Sequence, residues 1–151
     1  MQLILWRHAE AADGAPDSAR ELTAKGHKQA ARVAEWLAER LPKDVRILVS
    51  PARRTQQTAG AIGRTFETVS AVGTSASATD LLEEAGWPDN DRDVLVVGHQ
   101  PTLGEVAALL LLEEERPLSI KKGAVWWFTS RARDGSAATI LRAVIGPDLV
   151  D

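Results

Sequence analysis

The sequence has no cysteine among its 151 residues. Without cysteine there are no disulfide bonds, no thiolate zinc site and no cysteine nucleophile. Long apolar runs are missing too. None reaches the roughly 18 residues that a transmembrane helix needs, and the first apolar run, at residues 3–6, is too short for the apolar part of a signal peptide. We therefore expect a soluble cytoplasmic protein.

An excess of positive charge is also missing, because 21 acidic residues outnumber 18 lysines and arginines and give a formal net charge of -3. Such a chain has no global attraction for nucleic acid or for an anionic membrane, so neither is expected as a partner and any anion site must be local. The length suits one domain spanning residues 1–151, which would bury roughly 70% of the surface of the unfolded chain.

The first feature that is present is the apolar run at residues 3–6, which stops abruptly at Arg7 and His8. Four apolar residues are too few for a helix and are typical of a buried strand. In open α/β sheets, ligands bind just outside the carboxyl ends of the strands. We therefore expect Arg7 and His8 to lie where the chemistry takes place.

Helical and strand patterns alternate along the next part of the chain. Apolar positions every three or four residues predict a helix of about 18 residues that is capped by Thr23 and ends at Pro42. A second strand at residues 45–49 then leads directly into another helix. Ser50 is its predicted N-cap and Pro51 its predicted first residue.

The second half of the chain predicts further elements. We expect a short third strand around Val69 and Val72, and at most one helical turn within residues 80–93. The clearest strand signal, residues 94–97, is apolar at every position, as in a strand that is covered on both faces. The remaining predicted elements are a buried helix at 102–112 and two edge strands at 123–129 and 138–144, joined near Asp134 and Gly135.

This alternation predicts a three-layer α/β/α sandwich with a mostly parallel central sheet. His8 follows the first strand, Arg54 lies in the first turn of the helix after the second, and His99 follows residues 94–97. All three lie at strand-to-helix transitions, so we expect them at one edge of the sheet together with Arg7.

Two arginines and two histidines at one edge suit phosphoryl chemistry. Guanidinium groups bind pairs of phosphate oxygens, so Arg7 and Arg54 fit a phosphoryl group. Their charges disfavour protonation of His8 and keep its ring nucleophilic near pH 7. We expect a ring nitrogen of His8 to attack phosphorus in line and to form a phosphohistidine that water hydrolyses. His99, protonated beside a phosphate dianion, would stabilise charge on the equatorial oxygens.

Four blocks of sequence carry a resemblance to a known family. They are Arg7-His8-Ala9-Glu10, Leu22-Thr23 with Gly26, Ser50-Pro51-Ala52-Arg53-Arg54 with Thr58, and Gly98-His99. In this order they resemble the histidine phosphatase superfamily, phosphoglycerate-mutase-like branch 1, and the short chain with Arg-His-Ala-Glu-Ala resembles its SixA-type phosphohistidine phosphatases. The resemblance implies a phosphoglycerate mutase-like fold, a nucleophilic His8, a phosphate pocket of Arg7, Arg54 and His99, and no metal or other cofactor. It also matches Arg20 to an arginine of SixA-like proteins, which implies a contact with the substrate phosphate.

The chain departs from the family pattern at two places. Ala9 stands where the superfamily usually has glycine, so its methyl group is expected to narrow the approach to phosphate. Superfamily members that act on sugar or alcohol phosphates take a proton donor from a carboxylate between the second arginine block and the second histidine. Glu83 and Glu84 are the candidates in that region, and the sequence does not choose between them.

The absence of a clear proton donor bears on the substrate. The conjugate acid of an alkoxide leaving group has a pKa far above neutral pH, so such a group needs a proton from the enzyme. The conjugate acid of an imidazole has a pKa of about 6.5, so an imidazole takes its proton from solvent. The chain also lacks a long insertion that would cover the pocket. We therefore expect a signal-transduction enzyme that dephosphorylates a protein phosphohistidine, for instance in a histidine-containing phosphotransfer domain.

Several alternatives stay open at this point. The enzyme could act on a small phosphate ester with Glu83 or Glu84 as the acid, or the chain could be a noncatalytic phosphate-binding module, although binding alone would not need His8. His99 could be a hydrogen-bonded core histidine. A zinc site at His8 and His99 is disfavoured, because the neighbouring arginines repel the cation. His27 is expected on the surface.

Overall fold

The computed structural model describes residues 1–133 and 136–150, and its strands form one six-stranded sheet. The strands are β1 (Gln2–Arg7), β2 (Arg46–Val49), β3 (Glu67–Thr68), β4 (Val94–Gly98), β5 (Val125–Arg133) and β6 (Ser136–Ile145). Their order is β3-β2-β4-β1-β5-β6, in which β1 to β4 are parallel and β5 and β6 pair antiparallel. The predicted mostly parallel sheet is confirmed.

The two last strands form the predicted antiparallel pair, but β5 lies between β1 and β6 and is not an edge strand. Its buried residues Val125, Trp127 and Phe128 explain the difference, because they contribute to the cores on the two faces of the sheet. The turn predicted near Asp134 and Gly135 lies outside the described residues.

Helices cover both faces of the sheet. They are α1 (Ala24–Ala38), α2 (Arg53–Gly60), α3 (Ala78–Ala85) and α4 (Thr102–Leu112). Residues of α1 and α2 pack with Ile4 and Trp6 on one face, and residues of α3 and α4 pack with Leu3 and Leu5 on the other. Successive strand residues point to opposite faces, which is why the unbroken apolar run in β1 serves both cores. The predicted three-layer α/β/α sandwich is confirmed.

None of the helices within residues 1–133 and 136–150 is long and apolar enough to cross a membrane.

Helix α1 begins as the sequence predicts. The side-chain oxygen of Thr23 accepts a hydrogen bond from the backbone N–H of Gly26 at 3.0 Å and caps the helix. The helix ends at Ala38 rather than at Pro42, and Leu41 is buried in the turn that follows. The apolar spacing of the sequence extends past the end of the helix because Leu41 is buried from the turn, and its burial does not require helical backbone.

Helix α2 begins later than predicted. Its N-cap is Ala52 and its first residue is Arg53, so the prediction that Ser50 caps the helix and that Pro51 opens it is wrong. The hydroxyl of Ser50 lies instead 2.7 Å from a ring nitrogen of His99. This contact with the neighbouring strand holds Ser50 outside the helix.

The predictions for residues 67–93 are partly wrong. Strand β3 has only two residues and ends before Val69, and Val72 lies in a 3-10 turn, Ser70–Val72. In place of at most one helical turn, the chain forms the eight-residue helix α3. Ser77 and Asp80 stabilise its start, since the side chain of each accepts a hydrogen bond at 3.0 Å from the backbone N–H of the other.

Candidate active site

The ends of β1 and β4 bring two histidines together. The strands are parallel neighbours with Arg7 opposite Gly98, so the next residues, His8 and His99, leave the sheet side by side. The backbone N–H of His8 donates to the carbonyl oxygen of Gly98 at 3.1 Å. The two imidazole centroids are 5.4 Å apart with the ring planes at 55°, and both side chains are buried.

The two ring nitrogens of His8 have different environments. Nδ1 lies 2.8 Å from the carbonyl oxygen of Ala9. A carbonyl oxygen only accepts hydrogen bonds, so Nδ1 carries the proton and Nε2 keeps a free lone pair. Burial lowers the pKa of His8 to about 3; the Ala9 carbonyl opposes this shift, and His99 and the two arginines add to it. The ring is therefore neutral at pH 7, and burial is a larger cause than the arginine charges that the sequence suggested.

His99 is held by Ser50 at the end of β2. The hydroxyl of Ser50 accepts from the backbone N–H of Ala52 at 3.3 Å and lies 2.7 Å from Nε2 of His99. This arrangement lets the hydroxyl donate to Nε2, which leaves the proton of the neutral ring on Nδ1. Burial lowers the pKa of His99 to about 4, and the Arg54 charge adds to the shift. The His99 ring is therefore neutral at pH 7, and the protonation expected from the sequence requires the charge of a bound anion.

Three buried side-chain nitrogens in the described part of the chain have no hydrogen-bond partner: Nε of Arg7, Nε of Arg54 and Nδ1 of His99. Buried polar atoms are rarely left unpaired in native proteins, so a cluster of them indicates a binding site for a hydrogen-bond acceptor. All three can donate, and the pKa of Arg7 is lowered by burial and by the Arg54 charge. An anion that accepts from these donors would satisfy them and reduce the repulsion between the two guanidinium groups.

The loop that follows His8 lies against Arg54. In its 3-10 turn, Asp17–Ala19, the backbone oxygen of Asp17 accepts from Nη1 of Arg54 at 2.9 Å and the carboxylate accepts from Nη2 at 3.1 Å. The second carboxylate oxygen of Asp17 accepts from Nη1 of Arg20 at 3.0 Å. Arg20 is thus connected to the site through Asp17.

Sequence reasoning missed Asp17. Its two arginine partners lower the pKa of its carboxyl group, so it is ionised at neutral pH. The one available signal was its place in a polar loop directly after the histidine of β1.

The backbone after His8 is fixed by a short chain of hydrogen bonds. The N–H of Ala9 donates to Oγ1 of Thr58 at 3.1 Å, and the hydroxyl of Thr58 donates to the carbonyl oxygen of Arg54 at 2.7 Å. The Ala9 methyl group packs with Leu22 in a small buried cluster. This cluster accommodates the methyl group that replaces the usual glycine hydrogen.

The two candidate acids lie on α3. Glu84 is within 3.4 Å of Nη2 of Arg46, the first residue of β2. Arg46 pairs with Val94 at the start of β4, at the end of the strand opposite to His99. Four residue steps of about 3.3 Å separate the two ends of β4, Val94 and Gly98. Glu83 is exposed. Glu84 is therefore directed toward the edge of the sheet opposite to the histidines.

Within residues 1–133 and 136–150, no group of three or more His, Asp or Glu side chains could hold a metal ion.

Comparisons with known proteins agree with this geometry. A family model described as the histidine phosphatase superfamily (branch 1) matches residues 3–88. A phosphohistidine phosphatase SixA homolog of Haemophilus influenzae is 35% identical over 73% of this chain and 77% of that protein. Phosphohistidine phosphatase SixA of Escherichia coli is 31% identical over 78% of this chain and 79% of its own. A solved structure of the protein histidine phosphatase SixA complexed with tungstate superposes with a TM-score of 0.77 at 27% identity and covers 98% of each chain.

Proposed function

Because this chain belongs to the histidine phosphatase superfamily (branch 1), we propose that it is a phosphohistidine phosphatase that acts on a histidine of another protein and uses His8 as its nucleophile. We further propose that residues 1–151 form a single histidine phosphatase domain. The observation that carries the proposal is the set of three unpartnered donors, from Arg7, Arg54 and His99, beside the free Nε2 of His8. The tungstate in the structure of the related SixA supports it, because tungstate is an oxyanion that resembles phosphate.

The phosphoryl group of the substrate binds with its oxygens on the unpartnered donors of Arg7, Arg54 and His99. Its two negative charges favour protonation of His99, which then stabilises the charge on the equatorial oxygens. The Arg54 guanidinium already faces the Asp17 carboxylate, so the substrate competes with Asp17 for part of this cation. Arg20 reaches the same region through Asp17 and contributes positive charge.

The first chemical step is attack of the His8 Nε2 lone pair on phosphorus. The new N–P bond forms as the bond from phosphorus to the substrate imidazole breaks, and the electron pair of the broken bond stays with that imidazole, which takes a proton from solvent. The hydrogen bond from Nδ1 of His8 to the Ala9 carbonyl keeps the ring aligned in both states. Water then attacks the phosphorylated His8, which releases inorganic phosphate and restores the free ring. No metal ion is required.

The placement of the carboxylates supports phosphohistidine over phosphate ester as the substrate. Glu84 faces Arg46 at the opposite edge of the sheet, and Glu83 is exposed on α3. An imidazole leaves without a strong acid, because its conjugate acid has a pKa of about 6.5, whereas an alkoxide does not. We therefore expect slow turnover of small phosphate esters.

The test measures phosphate release, in the presence of EDTA, from a phosphorylated histidine-containing phosphotransfer domain and from a small phosphate ester. We expect release from the domain to fall by at least about 10³-fold in His8→Ala, as for the loss of other enzymatic nucleophiles. The matched control is His27→Ala, since His27 is exposed and outside the site. Rapid quenching of the wild-type reaction should trap a phosphoryl group on His8 that is labile in acid. Release from the ester alone, or release that persists in His8→Ala, would contradict the proposal.

A further inference from the structure

A cleft of about 980 Å³ lies beside the proposed phosphate pocket and shares Arg7 with it. One of its walls is α1, and the other is the loop that precedes β5. Arg7 ends β1, Ala124 precedes β5 and Gly146 follows β6, so the cleft opens at the edge of the sheet where His8 lies. The mechanism proposed above uses none of the cleft other than Arg7.

Both walls of the cleft are cationic. Lys25, Lys28 and Arg32 are spaced by three and four residues on α1 and share one face of that helix. Lys121 and Lys122 line the facing wall. This concentration of positive charge stands out in a chain whose formal net charge is -3.

Acidic side chains of the cleft neutralise only part of this charge. Glu10 lies 3.7 Å from Lys25, and Asp148 lies 3.6 Å from Lys121. Lys28, Arg32 and Lys122 form no ion pair within the described part of the chain and are exposed. The cleft therefore presents free positive charge to solvent.

The cleft also contains exposed apolar surface. Leu149 is 75% exposed and Val144 is 48% exposed, and half-buried Trp126 lies beside them in the lining. Trp127, its neighbour on β5, faces the core. Apolar side chains surrounded by charged ones are typical of a protein interface, in which an apolar centre has a polar rim.

We propose that this cleft, defined by the lining residues named above, docks an acidic segment of the phosphorylated partner protein next to its phosphohistidine. The inference rests on the proposed function, which it extends from the phosphoryl group to the protein that carries it. Positive walls suit a segment rich in Asp and Glu, and the exposed apolar side chains of the lining suit one or two of its apolar side chains. Nucleic acid fits less well, because the Glu10 and Asp148 carboxylates would face its phosphates and its backbone offers nothing to those apolar side chains.

Arg7 connects the two sites. Its Nη1 donates to the carbonyl oxygen of Ile120 at 2.7 Å, and Ile120 lies in the wall that carries Lys121 and Lys122. A phosphohistidine that enters at Arg7 therefore brings its neighbouring residues over the cleft. Attraction between the acidic segment and the walls would raise the association rate and would weaken as salt screens it.

The experiment compares two phosphohistidine peptides, one with four glutamates on each side of the phosphohistidine and a twin with glutamines in their place. We expect wild-type kcat/KM to be about tenfold higher for the glutamate peptide at low salt and the difference to shrink at high salt. Lys28→Glu and Lys122→Glu, one from each wall, should each lower kcat/KM for the glutamate peptide about three- to tenfold and leave hydrolysis of free phosphohistidine unchanged. The control is Lys43→Glu, which makes the same charge change in the exposed loop before β2.

Equal kcat/KM for the two peptides, or an equal loss in Lys43→Glu, would overturn the docking inference and leave the proposed function intact. If the wild type hydrolyses neither peptide nor free phosphohistidine, the proposed function fails instead. Fluorescence anisotropy with the unphosphorylated peptides then tests docking. Tighter binding of the glutamate peptide than of the glutamine peptide, lost in Lys28→Glu, would support docking, and equal binding of the two peptides would refute it. An oligonucleotide of equal charge that binds as tightly through Lys28 would also refute it.

Discussion

The burial of two neutral histidines makes the stability of the fold depend on pH in a defined direction. Burial lowers the pKa of His8 to about 3 and that of His99 to about 4 in the folded chain, whereas an unfolded chain leaves histidine near about 6.5. Between these values the unfolded state binds more protons than the folded state. The free energy of unfolding therefore decreases as the pH falls below about 6.5, and this contribution is fully present above that pH.

The magnitude follows from the same values. A pH of 5 lies about 1.5 units below the pKa of histidine in the unfolded chain, and both histidines are still neutral in the folded chain at this pH. Each unit of difference between pH and pKa corresponds to about 1.36 kcal/mol. His8 alone should therefore lower the free energy of unfolding by about 2 kcal/mol between pH 7 and pH 5. His99 should have an effect of similar size. Against a typical total of about 5–15 kcal/mol, this change is readily measured.

The assay is urea denaturation of the wild type and of His8→Ala at several pH values from 7 to 5. Carboxyl groups also titrate in this range, but they are common to both proteins and cancel in the difference. The wild type should lose about 2 kcal/mol more than His8→Ala over this interval. His27→Ala, which changes an exposed histidine of α1, serves as the control and should follow the wild type. A difference between wild type and His8→Ala that stays constant with pH would show that the folded chain does not shield His8 from protonation.

Three further predictions concern single side chains. Asp17→Asn should tighten the binding of inorganic phosphate about two- to tenfold, because the exposed carboxylate that competes for Arg54 is removed. Calorimetry measures the dissociation constant for phosphate, and weaker binding would show that Asp17 mainly orients the arginine. Gly26→Ala should lower the free energy of unfolding by about 3 kcal/mol or more, since a Cβ there would lie 2.0 Å from a backbone carbonyl oxygen. Gly60→Ala is the control: a Cβ at Gly60 has no atom within 4 Å, so this substitution should not destabilise the chain in urea denaturation. Glu84→Gln should leave kcat unchanged for both phosphohistidine and a phosphate ester and should change stability by less than about 1 kcal/mol; a large loss of ester turnover would identify Glu84 as the missing acid.

The architecture and the proximity of His8 to His99 were predictable because they depend on local patterns of apolar residues in the sequence. Residues 3–6 and 94–97 are apolar at every position, and such runs are typical of central parallel strands that are covered on both faces. Once the two strands are parallel neighbours, the residues that follow them must share an edge. His8 and His99 could therefore be placed together from the sequence alone.

The contacts that determine the chemistry of each histidine were not predictable in the same way. Ser50 and His99 are separated by 49 residues, and Asp17 and Arg54 by 37. Local pattern favoured a helix cap for Ser50 and an ordinary polar loop for Asp17, since such residues commonly have those roles. Helix α3 was underestimated for a similar reason: the acidic composition of its segment hid the capping box at Ser77.

These contacts suit two similarly buried histidines to the different roles proposed for them. The carbonyl oxygen of Ala9 can only accept, so it places the proton of His8 on Nδ1 and leaves the lone pair of Nε2 free for the proposed attack on phosphorus. Nε2 of His99 faces the hydroxyl of Ser50, which can donate, so the proton of His99 lies on Nδ1 and is directed to a ligand. Burial keeps both rings neutral until an anion arrives, and the dianion then favours protonation of His99, whose Nδ1 has no other partner in the described residues. The different hydrogen-bond partners of the two rings, and not different degrees of burial, thus distinguish the proposed nucleophile from the proposed charge-stabilising group.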